Sequence, residues 1–330
     1  MSDRWTWHGG GLAAAQAHFG TGDLPWMDLS TGINPHPWPV PSMAIDWAGL
    51  PDEGGLRALE VAASRHFGVR PDHLCAVPGT EIGLRLVGRL IGGSGFHIAP
   101  TYRTHGEMMP GSVALSVADL AQADGATLIL ANPNNPDGRL FDRATLHDLL
   151  ARRGDEGWLL VDEAFADSTP DASLAGKVGP DHRLILFRSF GKYFGLAGVR
   201  LGFVLGPPAI MTQVRERLGA WPLSAPAIAI GMAAYRDRDW IDATQIGLME
   251  SASMLDACLR RAGLSPAGAC PLFRLIDVDD AHRLFDGLAR RAILTRPFAD
   301  NRRWLRIGLP PDSAALDRLA EALAGALADG

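Results

Sequence analysis

Four polar segments hold the residue types from which a reaction could be built, and each closes an apolar run: Gly79-Thr80-Glu81, Asn132 to Gly138 (NPNNPDG), Asp162 to Phe165 (DEAF) and Ser189 to Lys192 (SFGK). A glycine-led helix start offers backbone N–H groups to a phosphate. Arg200, eight residues beyond Lys192, can add charge-assisted hydrogen bonds to the same anion. A lysine whose pKa is lowered by its site forms Schiff bases with carbonyl groups. Asp162, behind the apolar Trp158-Leu-Leu-Val, sits where a carboxylate can keep a buried cation protonated. Met singly, an Asn/Pro cluster is a turn, a strand-end Asp is a helix cap and a lone Lys is a solvated side chain. The combination in this order is harder to dismiss.

The elements that must position these residues are legible as alternation. Short apolar runs at Cys75–Val77, Phe96–Ala99, Val113–Val117, Leu128–Ala131, Trp158–Val161, Leu184–Phe187 and Leu201–Leu205 alternate with helical stretches, beginning with Leu56–Phe67. Runs apolar on both faces and separated by helices predict an α/β fold with a mainly parallel seven-stranded sheet between helix layers. In such sheets ligands bind where strand carboxyl ends meet loops, which is where the polar segments fall. After Tyr235 the pattern changes: a long helix (Trp240–Ala262), a strand at Leu272–Val278, a helix at Ala281–Arg290, the strand-like WLRIGL and a closing helix Ser313–Leu327 read as a smaller α+β domain. The expected division is an N-terminal arm with part of the small domain over 1–50, a large domain over 51–238 and a small domain over 239–330.

Composition narrows the class. The chain has 330 residues, 47% of them hydrophobic and 21% charged, with a net charge of −6. That length makes roughly two domains, and the apolar content argues against disorder. The acidic balance argues against nucleic acid as partner. Three cysteines without a CxxC pair give neither a disulfide framework nor a zinc knuckle. The N-terminal MSDRWTWHGGG lacks the apolar core of a signal peptide, and the run Ala225–Tyr235 is too short to span a bilayer, so a cytoplasmic protein without a membrane partner is expected. GxGxxG, GxxxxGK[ST] and HExxH motifs are absent and the ten histidines do not fall at metal-ligand spacing, so no metal is expected.

The four segments resemble those of the fold-type-I pyridoxal 5'-phosphate enzymes, the aspartate-aminotransferase superfamily, from about Leu29 to Leu309; SFGKYFGLAGVRLGF is the most specific part. The resemblance implies pyridoxal 5'-phosphate as cofactor, with Lys192 attached to it and Asp162 paired with its ring nitrogen. Asn135 would bond the ring's phenolic oxygen and Tyr102 would stack on the ring. The Gly79-Thr80-Glu81 helix start, Ser189 and Arg200 would hold its phosphate. Bound so, the ring is an electron sink.

His8-Gly9-Gly10 and Asp28-Leu-Ser-Thr-Gly-Ile-Asn-Pro35 are similar to signatures of the threonine-phosphate decarboxylase family of cobalamin biosynthesis, a relative of the histidinol-phosphate aminotransferases. Phe165 stands where many aminotransferases carry Tyr, as in that family. The resemblance implies that Arg306 takes the carboxylate of a small phosphorylated amino acid, and that His8, Gly9, Asn135 and Arg296 also contact it. Gly32 stands at a substrate position where relatives carry Asn, and Leu50-Pro51-Asp52 lacks the Tyr that reaches a neighbouring subunit's cofactor in many relatives. The implied reaction is decarboxylation of L-threonine O-3-phosphate to (R)-1-amino-2-propanol O-2-phosphate by a homodimer. A histidinol-phosphate-type aminotransferase and a serine-phosphate decarboxylase are the alternatives.

Overall fold

The computed structural model describes residues 5–20 and 24–328. Two compact units divide them. One holds residues 37–135 and 139–243; the other holds the described residues up to His36, Pro136–Gly138 and the chain from Thr244 onward. The first thus takes in residues 37–50, which the sequence reading left in the arm. Trp38 gives the reason: it is buried, its backbone N–H donates to Phe194 O at 2.9 Å, and its indole Nε1 donates to Asp237 Oδ2 at 3.0 Å.

In the smaller unit the chain starts with α1 (Leu12–Phe19) and β1 (Met27–Asp28). The larger unit then runs α2 (Glu53–Phe67), β2 (Leu74–Val77), α3 (Thr80–Ile91), β3 (Gly95–Ile98), α4 (Thr104–Glu107), β4 (Val113–Leu115), β5 (Thr127–Ala131), α5 (Arg143–Ala151), β6 (Leu159–Asp162), β7 (Leu184–Ser189), α6 (Phe190–Tyr193), β8 (Gly202–Leu205), α7 (Pro208–Leu218) and α8 (Ala225–Ala234). After α9 (Arg238–Arg261) come β9 (Pro266–Ala267), β10 (Phe273–Asp277), α10 (Ala281–Ala289), β11 (Ile293–Leu294), β12 (Arg296–Pro297), β13 (Trp304–Gly308) and α11 (Ser313–Ala328).

The seven-stranded sheet of the larger unit has the order β2-β8-β7-β6-β5-β3-β4. It is parallel except for β8, which runs antiparallel to both β2 and β7. Every residue of β2, β5, β6 and β8 is buried, as expected of strands covered on both faces. Val77, Leu84, Ile129, Leu160, Phe187, Val204 and Met211 pack into one core beneath α3 and α7. Local signals set the helix ends. The Asp52 carboxylate accepts the Gly55 N–H and Gly68 closes α2 at φ 70°, where a residue without Cβ is favoured.

The smaller unit carries an antiparallel sheet, β12-β13-β10-β9, and a parallel pair, β1-β11. Beyond β1, Gly308 N–H donates to Leu29 O at 2.7 Å.

Candidate active site

Because β8 returns antiparallel, its first residue lies beside the last residues of β2 and β7. Gly202 is the Cα partner of both Val77 and Ser189. One end of the sheet therefore gathers residues far apart in sequence. The approach is close: a Cβ on Gly202 would lie 2.7 Å from Thr80 N and 3.1 Å from Arg188 O. Gly79, the N-cap of α3, has φ 88°, and a Cβ there would lie 2.6 Å from Arg200 Nη2. Arg200 itself is held at φ 56°, an uncommon conformation for a residue with a side chain. The exposed Arg200 guanidinium thus lies against the backbone start of a 12-residue helix, with Ser189 at the neighbouring strand end. Gly79 N–H is taken by Val77 O and Ile82 N–H by Gly79 O, so the positive charge together with the Thr80 and Glu81 N–H groups is what suits a phosphate here.

Lys192 lies in α6, directly after β7, and its Nζ is 5.9 Å from the centroid of the Phe165 ring. That is within the range of a cation–π contact. Phe165 is buried, and three residues before it Asp162 ends β6, also buried. The Asp162 carboxylate is fixed on both oxygens: Oδ2 lies 3.0 Å from His105 Nε2, and Oδ1 accepts the Ala164 N–H at 3.0 Å. His105 is fully buried, and its Nδ1 lies 2.7 Å from Thr101 Oγ1. The sequence reading missed His105. Thr101 precedes α4, so no helical spacing marks the pair in the sequence.

Tyr102 sets its ring edge-on to His105 at 5.7 Å, and its hydroxyl donates to Glu81 Oε2 at 3.0 Å. The Glu81 carboxylate also accepts from Arg85 Nε at 2.6 Å and Thr104 Oγ1 at 2.9 Å. Burial would raise the Glu81 pKa, but these hydrogen bonds outweigh it and hold the carboxyl below its ordinary value. Burial, and then the charge of Glu81, push the Tyr102 phenol up to about 12, so it stays a neutral donor. The side chain of Glu81 thus holds Tyr102, while its backbone belongs to the helix start. In the NPNNPDG loop, Asn132 braces Phe141 through both its N–H and its O, and Asn134 donates to Pro100 O at 2.9 Å. Asn135 is half-buried on the same loop.

All nine residues assigned to the cofactor fall in the larger unit; the five other substrate candidates, His8, Gly9, Gly32, Arg296 and Arg306, fall in the smaller one. There Arg296 and Arg306 are direct cross-strand partners on β12 and β13. Like charges placed opposite one another repel. Burial, then the charge of Arg296, push the Arg306 guanidinium well below its ordinary value. Arg306 lies over the Phe273 ring at 4.9 Å, and its Nη2 donates to Ser30 O at 2.9 Å. An anion between two such arginines would relieve their repulsion. Ser30 also gathers the N-terminal glycines: Gly10 N–H donates to Ser30 Oγ at 2.7 Å, and Ser30 Oγ donates to Asp28 Oδ1 at 2.6 Å. Gly32 is buried, whereas His8 is exposed, its ring 6.1 Å from that of Trp7.

The larger unit's residues fit pyridoxal phosphate. The Gly79 cradle and Arg200 suit its phosphate, Lys192 its aldehyde, and the buried, doubly held Asp162 its ring nitrogen. The family model described as aminotransferase class I and II matches residues 114–323, and the chain belongs to that family. Within it, the chain is 40% identical to a threonine-phosphate decarboxylase of a Sinorhizobium species, over 96% of this chain and 97% of that one. The threonine-phosphate decarboxylase of Pseudomonas aeruginosa is 39% identical over the same shares. A histidinol-phosphate aminotransferase of Geobacter sulfurreducens is 28% identical over 83% of this chain and 85% of its own. Among solved structures, the histidinol-phosphate aminotransferase of Sinorhizobium meliloti in complex with pyridoxal-5'-phosphate superposes with a TM-score of 0.76, at 23% identity over 85% of this chain and 83% of that one. The L-threonine-O-3-phosphate decarboxylase of Porphyromonas gingivalis gives 0.73, at 18% identity over 84% and 92%. At these identities both establish the fold.

Proposed function

We propose that this chain is a pyridoxal 5'-phosphate-dependent decarboxylase that converts L-threonine O-3-phosphate to (R)-1-amino-2-propanol O-2-phosphate, a step of cobalamin biosynthesis. The observation that carries this reading is the likeness to two threonine-phosphate decarboxylases at 40% and 39% identity across 96% of the chain. When bound, the cofactor supplies an electron sink for the pair released as the Cα–carboxylate bond breaks.

The chain's own residues do the rest. Asp162, oriented by His105 and the Ala164 N–H, keeps a proton on the ring nitrogen. Gly79, Thr80, the Glu81 backbone, Ser189 and Arg200 bind the cofactor phosphate, Asn135 and Tyr102 hold its ring, and Lys192 anchors its aldehyde carbon. Arg306 takes the substrate carboxylate with the planar fork suited to it. Arg296, His8, Asn135 and the backbone at Gly9 and Gly32 take the remainder of the substrate. Holding one Cα bond in the breaking orientation decides between loss of CO2 and loss of a proton, which is positioning and needs no additional catalytic group. Once the substrate amine has taken its place at the aldehyde carbon, the freed Lys192 amine returns a proton to Cα.

The proposal extends to a homodimer in the cytoplasm, acting on a small phosphorylated substrate without nucleic acid or membrane. Family likeness supports the assembly, and no helix among the described residues is long and apolar enough to cross a membrane. The test supplies the purified protein and pyridoxal phosphate with threonine phosphate, serine phosphate or histidinol phosphate plus a keto acid. The expected result is CO2 and aminopropanol phosphate from threonine phosphate, lost in Lys192→Ala. Rapid amino transfer without CO2 would overturn the decarboxylase reading, and CO2 from serine phosphate alone would overturn the substrate.

A further inference from the structure

Behind the strand ends that carry Asp162 and Ser189 lies a buried cluster of charges that the proposed reaction leaves unused. Glu163 follows Asp162, and Arg188 precedes Ser189. Alternation along a strand turns neighbours to opposite faces, so both point away from the cofactor side. There Arg188 Nη1 donates to Glu163 Oε2 at 3.0 Å, and Nη2 donates to Asp167 Oδ1. Further bonds hold the cluster: Ser173 Oγ donates to Glu163 Oε2 at 2.6 Å, Leu174 N–H to Oε1 at 2.8 Å, and His66 Nε2 lies 2.9 Å from Asp167 Oδ1. This leaves Arg188 Nε and Asp167 Oδ2 as the buried polar atoms of the Glu163, Asp167 and Arg188 side chains without a partner. The guanidinium also covers the Phe67 ring at 4.5 Å. Glu163, Asp167 and Arg188 are all buried.

Burying three charges is a poor way to gain stability, because their desolvation cancels much of their attraction. Such a cluster is better suited to fixing a geometry. Its geometry is centred on one residue. The Arg188 side chain ties the segments that follow β6, while its main-chain carbonyl accepts the Thr80 hydroxyl at 3.3 Å. Arg188 therefore touches, or is bonded to the neighbour of, three of the site's segments: Thr80 after β2, Asp162 on β6, and Ser189 on β7.

We propose that Arg188 is a positioning residue, whose ties to Glu163, Asp167 and Thr80 fix the spacing between the Asp162 carboxylate and the Ser189–Lys192 turn at the span that pyridoxal phosphate requires. The inference rests on the cofactor reading above. It assigns no chemical step to Arg188.

The test titrates apoprotein with pyridoxal phosphate, following the visible absorption band, for wild type, Arg188→Lys, Arg188→Met, Glu163→Gln and Arg153→Met. Arg153 is the control. It is equally buried, clamps the Leu149, Ala123 and Ala126 carbonyls, and so sits where β5 begins rather than where the strands meet the site. Arg188→Met and Glu163→Gln are expected to raise the Kd for pyridoxal phosphate about tenfold or more and to move the band maximum, with Arg188→Lys in between. Arg153→Met should lower the melting temperature and leave Kd and band unchanged. Glu163→Gln and Arg188→Lys retain hydrogen-bonding groups and decide the matter if Arg188→Met does not fold. Wild-type Kd and band in both would overturn the inference, as would an equal loss of affinity in Arg153→Met. Failure of the wild type to bind pyridoxal phosphate would instead overturn the cofactor reading itself, and this inference with it.

Discussion

A methyl group on Gly9 would lie 2.3 Å from the carbonyl oxygen of Ser30, and that carbonyl also accepts from Arg306. The contact is backbone to backbone, so no side chain can swing aside. Gly9→Ala is expected to destabilise the protein by about 1–3 kcal/mol, as overpacking does, and to raise KM for threonine phosphate. Thermal unfolding and steady-state kinetics check the two effects separately. The glycine pair of HGG and the Ser of DLSTGINP thus turn out to be one contact, seen in the sequence only as two signatures. Lys192 and Asp162 were singled out by the joint order of the motifs and Arg306 by the resemblance those motifs carry, because each residue alone reads as a helix cap or a surface group. His105 was not, because its partnership with Asp162 spans 57 residues of sequence and follows no periodicity.

At the scale of elements, α3 does two tasks in one turn. Its backbone start faces the proposed phosphate seat, and the Glu81 side chain in that turn holds Tyr102 and Thr104. The Glu81 carboxyl is held below its ordinary value, so the folded state favours its charged form. That contribution is complete above the unfolded value of about 4.3. It disappears as pH falls through the lower folded value. Melting curves taken from about pH 5 downward should therefore show Glu81→Gln with a flatter pH dependence than wild type. An equal slope in both would count against the arrangement. All seven large-sheet strands were readable from their apolar runs, to within a few residues. The smaller elements were not. α1 is alanine-rich with weak amphipathicity, and the β1-β11 pair has two residues per strand, too few to show any alternation.

Across the whole molecule, burial decides which groups react. Cys75, Cys258 and Cys270 are free thiols with at most 1% exposure. Burial pushes the Cys75 and Cys270 thiols up to about 12, so the reactive thiolate is scarce at neutral pH. Native protein should give no prompt reaction with a disulfide reagent such as dithionitrobenzoate, and three thiols on unfolding. A thiol titrating in the native state would contradict the packing around these side chains. The division into units was less legible than the strands. The excursion of Pro136–Gly138 into the smaller unit is secured by the Ala269 N–H on Gly138 O at 2.8 Å, a contact between distant segments that leaves no local mark.

Sheet order also fixes when the segment leading into Gly79 can gain its strand neighbour. β2, which leads into Gly79, is an edge strand whose sole sheet neighbour is β8, the last of the seven to leave the ribosome. A nascent chain halted just short of β8 would already own its reactive amine, yet Gly79 would have no strand to be pinned beside. That pairing therefore waits until Leu205 has emerged from the ribosome.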